Sequence, residues 1–252
     1  MRIAVWQGHS PAADLEQALS EAETALAAAG VMGATVLVLP EVWLPGYNAE
    51  GIPALALQRE APELQRLAVA ARRAGCALAL GYAERERETV YNAAVVFGAD
   101  GTQFAHYRKV QLYGARERAL YTPGEALVTF PLAGEIAALL ICYDIEFAPH
   151  IRALADRGAT LILCPTANMQ PFTHVPDVTV RAMAANHGVA VAYSNFCGAE
   201  GDLTYTGRSL IAGPHGEIVA QAGETPCLLI ADLPPRDPAR ISTQGTDLRP
   251  LT

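Results

Sequence analysis

Three residues, far apart in the chain, could together do covalent chemistry: a carboxylate at Glu41, an ammonium at Lys109 and a thiol at Cys142. A thiol attacks a carbonyl once a base takes its proton, and the oxyanion that forms needs a cation or an N–H beside it. Lys109 is the one lysine among 18 basic residues. A compact ammonium fits a tight pocket that a planar guanidinium does not, so Lys109 is a candidate for a position arginine cannot fill. The alternative is one lysine left over in an arginine-biased chain. Glu41 stands between Pro40 and the apolar Val42-Trp43-Leu44. Poor solvation there would raise its pKa toward that of a general base, whereas a strand-end glutamate in water would stay ordinary. Cys142 follows an apolar run and precedes a polar turn, as in a nucleophile elbow, which leaves the Tyr143 N–H free for an oxyanion. Cys164 also ends an apolar run, so position alone does not choose between the two thiols.

Other chemistries lack their signatures. The histidines at 9, 106, 150, 174, 187 and 215 form no local motif that pairs one with Cys142. No H-E-x-x-H, G-x-S-x-G, Walker or G-x-G-x-x-G pattern occurs, so neither metal nor cofactor is expected. The five cysteines are scattered without a C-x-x-C pair, which argues against a disulfide framework or a zinc site.

The elements that must carry these residues follow from periodicity. Apolar runs at 3–6, 34–39, 76–80, 94–97, 136–142, 159–164, 189–193, 209–212 and 227–230 predict strands buried on both faces. Residues 104–109 predict a further short strand that delivers Lys109. Between them, Leu15, Ala18, Leu19, Ala22 and Leu26 share one helical face, as do Leu64, Leu67, Ala68 and Ala71. Four predicted helices open near a proline (Pro11, Pro62, Pro149, Pro176) and close on a glycine (Gly30, Gly75, Gly158, Gly188). Asp100-Gly101 and His215-Gly216 predict hairpin turns. The alternation implies an α/β domain over 1–233. Residues 234–252 read as a polar tail, either disordered or docked on a neighbouring subunit.

Composition narrows the partners. The 252 residues are 51% hydrophobic and 17% charged, with a net charge of -8. That suits a packed core and excludes the basic footprint of a nucleic-acid binder; an anionic membrane would repel it. No apolar stretch approaches the ~20 residues of a membrane span. Met1-Arg2 runs directly into a strand-like segment without a leader, so a soluble, cytoplasmic protein is expected.

Glu41 in Leu-Pro-Glu, Lys109 in Tyr-Arg-Lys-Val-x-Leu and Cys142 in Cys-Tyr-Asp-Ile-Glu-Phe resemble the Glu-Lys-Cys triad of the nitrilase superfamily of carbon–nitrogen hydrolases. Supporting likeness lies in Tyr91-Asn92-Ala93, Tyr121-Thr122-Pro123-Gly124, Asn168, Gly207-Arg208-Ser209 and Pro214-His215-Gly216. One departure is Ala148-Pro149, where many relatives have Pro-Glu. The resemblance implies a four-layer αββα sandwich, a homodimer or higher oligomer with the tail at the subunit contact, and a reaction without cofactor. It assigns Glu41 as base, Cys142 as nucleophile, Lys109 with the Tyr143 N–H as oxyanion holder, and Glu117 as a second glutamate that keeps Lys109 or the substrate in register. Tyr47, Tyr143, Asn168 and Phe172 are candidate substrate contacts. Cys-Tyr-Asp favours an amidase acting on a primary amide of a small aliphatic acid. Carbamoyl and nitrile substrates are the alternatives within the superfamily; a non-catalytic binding member and a His-assisted cysteine hydrolase lie outside that reading.

Overall fold

Buried apolar runs of this kind need both faces of a sheet covered, and the computed structural model, which describes residues 1–249, meets that need with two sheets packed face to face. In chain order the strands are β1 (Arg2–Gln7), β2 (Val36–Val38), β3 (Ala77–Glu86), β4 (Thr89–Phe97), β5 (Gln103–Arg108), β6 (Val128–Leu132) and β7 (Glu135–Leu139). They continue with β8 (Leu161–Pro165), β9 (Ala190–Ser194), β10 (Cys197–Glu200), β11 (Leu203–Thr206), β12 (Leu210–Ala212), β13 (Ile218–Gln221) and β14 (Cys227–Asp232). The helices are α1 (Leu15–Val31), α2 (Ile52–Leu55), α3 (Pro62–Ala74), α4 (Gly114–Leu120), α5 (Ala148–Asp156), α6 (Val180–His187) and α7 (Gln244–Asp247).

The first sheet has the order β14-β1-β2-β3-β4-β5 and the second β13-β12-β9-β8-β7-β6, with β10 and β11 forming a separate hairpin. Each sheet has three parallel strands at its centre (β1, β2, β3 and β7, β8, β9) and antiparallel strands outside them. Strand alternation sorts the side chains into layers. Ile3, Val5, Val36 and Val38 point into the inter-sheet core with Leu139, Leu161, Leu163 and Ala192. Ala4, Leu37, Leu39 and Leu78 point the other way, against α1 and α3. On the far side α5 and α6 contribute Ile151, Leu154, Val180 and Ala184. The result is the αββα sandwich the resemblance implied.

Helix punctuation holds for three of the four helices. Pro62 and Pro149 lie in first turns, and Gly75 and Gly188 take the left-handed conformation at φ +62°. Helix α6 is entered through one π-helical turn, Val175–Thr179, that contains Pro176. Helix α1 differs: Asp14 caps its start by accepting from the Gln17 N–H (3.0 Å), and it runs past Gly30 to Val31. Gly30 serves packing instead, because a Cβ there would meet the Ala74 carbonyl oxygen of α3 at 2.3 Å. Strands β6, β10, β11 and β13 were not among the predicted runs. β6 contains Pro131 and β13 is half exposed, and both sit at sheet edges where a continuous apolar run is not required.

Residues 234–249 lie against their own chain: Ile241 packs near Gly188, and Gln244 donates to Asn186 at 3.2 Å. Residues 250–252 of the predicted tail lie outside the described residues. Among the described residues, no helix is long and apolar enough to cross a membrane.

Candidate active site

Strand ends from both sheets meet where the two sheets face each other. β2 delivers Glu41, β5 delivers Lys109 and, through the following α4, Glu117; β7 delivers Cys142, and β8 delivers Asn168. Such carboxyl-end clustering is where open α/β sheets place reactive groups.

Glu41 is reached by a turn that passes directly over β3. A Cβ at Gly81 would meet the Val42 nitrogen at 2.4 Å and the Glu41 Cα at 2.7 Å, so glycine there permits the approach. The Glu41 side chain is fully buried. Its Oε1 accepts from Lys109 Nζ (2.6 Å) and Asn92 Nδ2 (2.7 Å), while Oε2 is buried and has no partner among the described residues. Lys109 is held by its backbone N–H donating to the Asn92 carbonyl and by its own carbonyl accepting from the Gly124 N–H, both 2.8 Å. Its ammonium also donates to Glu117 Oε1 at 2.7 Å. Glu117 is fixed in turn by the Tyr47 hydroxyl and the Tyr113 N–H, each donating at 2.8 Å.

Burial raises the Glu41 pKa, and the nearby Glu117 charge raises it further. Lys109 and Asn92 pull it down, and the balance leaves it pushed up to about 7. Burial also acts to lower the Lys109 pKa, but the Glu117 and Glu41 carboxylates outweigh it and hold the ammonium well above its ordinary value. Burial and the Glu41 charge keep the Cys142 thiol well above its usual range. The resting site is therefore a neutral thiol next to a carboxyl poised to exchange a proton near neutrality.

Cys142 sits at φ +45°, a left-handed conformation that a side chain adopts under strain, as the elbow reading expects. It opens the 3₁₀ turn Cys142–Glu146, so the Tyr143 N–H lies in a first turn without an intrahelical acceptor. Asp144 ties this turn to the lysine loop, accepting from the Ile141 N–H (3.0 Å), the Gln111 N–H (2.8 Å) and the Tyr107 hydroxyl (2.7 Å). Asp144→Ala leaves three donors without their acceptor. It is expected to cost roughly 3 kcal/mol or more in urea denaturation, and to lower turnover of whatever protein still folds, because the Cys142 turn is released. Unchanged stability would contradict this bracing role.

Cys142 opens into a cavity of about 220 Å³ whose wall includes Tyr47, Tyr143, Asn168 and Phe172. All eight residues singled out in the sequence thus gather in one place, with Glu41, Lys109 and Glu117 buried behind the wall. Asn168 is tied down by its Nδ2 donating to the Phe172 carbonyl (3.0 Å) and its N–H donating to Asn195 Oδ1 (2.8 Å). Tyr113 packs edge-on against Tyr143 and Phe172, with centroids at 5.3 and 5.9 Å. Sequence reasoning missed Tyr113, Glu146, Met169 and His174 in this wall. Glu146 stood inside the quoted Cys142 motif, four residues on, and that spacing was the available signal. Among the described residues, no three His, Cys, Asp or Glu side chains are grouped so as to hold a metal ion.

Comparison with known proteins agrees. The carbon-nitrogen hydrolase family model matches residues 2–240. A Pseudomonas protegens protein named as a hydrolase in the pqqF 5′ region is 41% identical, over 92% of this chain and 82% of its own length. An (R)-stereoselective amidase of a Pseudomonas species is 33% identical over 75% of this chain and 69% of its own. A variant of an amidase from Nesterenkonia sp. AN1, solved with acrylamide added to its active-site cysteine, is 36% identical with a TM-score of 0.88, covering 93% of each chain. Another structure of that amidase, a variant of the same TM-score and identity covering 93% of this chain and 91% of its own, holds butyramide. A family model matched over residues 2–240, and amidase relatives of the same architecture, lead to one statement: the chain belongs to the carbon-nitrogen hydrolase family, as an amidase-type member of the nitrilase superfamily.

Proposed function

We propose that the protein hydrolyses the primary amide of a small aliphatic acid to the acid and ammonia through a thioester on Cys142. The observation that carries this reading is Glu41: one oxygen is saturated by Lys109 and Asn92, and the other is buried and free to take a proton. Glu41 Oε2 takes the Cys142 proton as sulfur bonds to the amide carbon, and the carbonyl electrons move onto oxygen. Two of the three ammonium protons of Lys109 are engaged by Glu41 and Glu117, which leaves the third, with the Tyr143 N–H, for that oxyanion. When the intermediate collapses, the C–N bond breaks and Glu41 passes its proton to the departing nitrogen. Water then attacks the thioester, Glu41 takes its proton, and the released thiolate recovers it as the acid leaves. Glu117 and Tyr47 keep Lys109 in register. The cavity volume and largely aromatic wall suit an acyl chain of a few carbons, like the butyramide held by the Nesterenkonia amidase.

Ammonia release from short primary amides, with an acyl mass increment on the peptide containing Cys142, is the expected result. Release only from nitriles or carbamoyl amines would reassign the substrate. Turnover without an adduct on Cys142, even in rapid-quench samples, would sink the covalent route. The oligomer and the tail are part of the same proposal: a homodimer or larger assembly with residues 234–252 at the contact, which a monomer in light scattering would refute.

The pH dependence has a definite sign. Glu41 must be ionised to act as base, so kcat/KM is expected to fall as pH drops below about 7, approaching tenfold per pH unit. Stability moves the other way for this group. Its folded pKa exceeds the ordinary 4.5, so its contribution is full below that value and is lost as pH rises through about 7. A kcat/KM profile flat from pH 5 to 8 would contradict the assignment.

A further inference from the structure

We infer that Glu146 makes the cavity select amides whose acyl chain carries an ammonium group, a refinement that rests on the amide-hydrolase reading above. Glu146 closes the same 3₁₀ turn that Cys142 opens, so one stretch of backbone fixes both the reacting sulfur and this carboxylate. It lines the cavity alongside Cys142 and is half buried. Burial raises its pKa, and no hydrogen bond opposes that rise; only the charges of His174 and Lys109 do. The Lys109 ammonium is already engaged by Glu41 and Glu117. His174, in the same wall, is the other ionisable base there.

A substrate that fills the cavity strips water from Glu146. A neutral aliphatic chain leaves the carboxylate without a replacement partner, and an anionic chain adds a like charge. An ammonium supplies the direct ion-pair partner that no described residue gives Glu146, and the rings of Tyr113, Tyr143 and Phe172 attract a cation as well. The aromatic wall thus admits short chains, and Glu146 sorts them by charge.

The test uses the full-length protein and isosteric amide pairs that differ by NH₃⁺ against CH₃: glycinamide with propionamide, 3-aminopropanamide with butyramide, and 4-aminobutanamide with pentanamide. Succinamate is the anionic member. At low salt, the ammonium amide of at least one pair is expected to exceed its neutral partner in kcat/KM by ~10-fold, and succinamate to fall below butyramide by a similar factor. Glu146→Gln is expected to collapse the ammonium-to-neutral ratio, and Glu146→Arg to shift preference toward succinamate. Added salt should shrink the wild-type ratio, a readout that survives if either variant fails to fold. Neutral partners equal to or faster than their ammonium isosteres in all three pairs would overturn the inference while leaving the amidase reading intact. Silence toward every amide, whatever its charge, would overturn the amidase reading and this refinement with it.

Discussion

Cys142→Ala is expected to lower ammonia release by on the order of 10⁵-fold or more, the scale seen when a nucleophile that works with a base and an oxyanion site is removed. The fold should barely notice. The residue as a whole is only partly buried, alanine is no bulkier at its φ of +45°, and the turn around it is held by Asp144 rather than by the thiol. Melting within about 4 °C of wild type is the companion expectation. Cys142→Ser is the sharper control, because it keeps the shape and changes only the atom. A hydroxyl gives up its proton far less readily than a thiol, and a base with a pKa of about 7 is poorly matched to it. Its activity should stay near that of the alanine variant. A serine enzyme with a substantial fraction of wild-type turnover would mean that Cys142 is not the attacking atom.

Lys109→Met should damage both stability and rate. The ammonium lies between two buried carboxylates, 2.6 Å from Glu41 and 2.7 Å from Glu117. Without it, one of them must take up a proton or both must bear unpaired buried charge. Breaking a buried pair from one side costs about 3–5 kcal/mol. The loss should be larger at pH 8 than at pH 6, because protonation of a carboxyl at lower pH removes one of the stranded charges. Protein that still folds should lose a further ~10²–10³ in kcat with the oxyanion donor. Lys109→Arg separates the two effects: it restores positive charge but brings a planar fork into a site shaped for three tetrahedral donors. Partial recovery of melting temperature without recovery of kcat is the expected pattern. A fully active Lys109→Arg enzyme would favour a histidine-assisted thiol hydrolase, whose mechanism has no use for an ammonium.

The residues most legible in the sequence were those with no substitute. Lys109 was visible as the single lysine. Glu41, among Pro40, Val42 and Trp43, stayed open between a poorly solvated base and a strand-end carboxylate in water until the family resemblance singled it out, and its full burial bears out the first. The central strands were legible because strands covered on both faces have nothing to alternate with. Helix α4 was not, although it carries Glu117. Its sequence Gly-Ala-Arg-Glu-Arg-Ala-Leu reads as a solvated stretch, and Glu117 is its one buried residue. The β10–β11 hairpin stayed hidden for a related reason: it is held by Glu200 accepting from the Tyr205 hydroxyl and the Asn48 N–H, pairings that leave no periodic trace. Cys142 and Cys164 could not be ranked by position. The structure separates them, since Cys164 is sealed in the hydrophobic core and Cys142 opens to the cavity.

The site draws Glu41, Asn92 and Lys109 from one sheet and Cys142 and Asn168 from the other. Neither half alone brings Glu41 to Cys142. A nascent or partly unfolded chain therefore carries a cysteine of ordinary pKa with neither Glu41 nor Lys109 beside it, and the proposed amide chemistry becomes possible only as the two sheets close on each other. The proposed chemistry thus belongs to the docked pair of sheets and to neither sheet by itself, and turnover would read out how much of the chain has both sheets in contact.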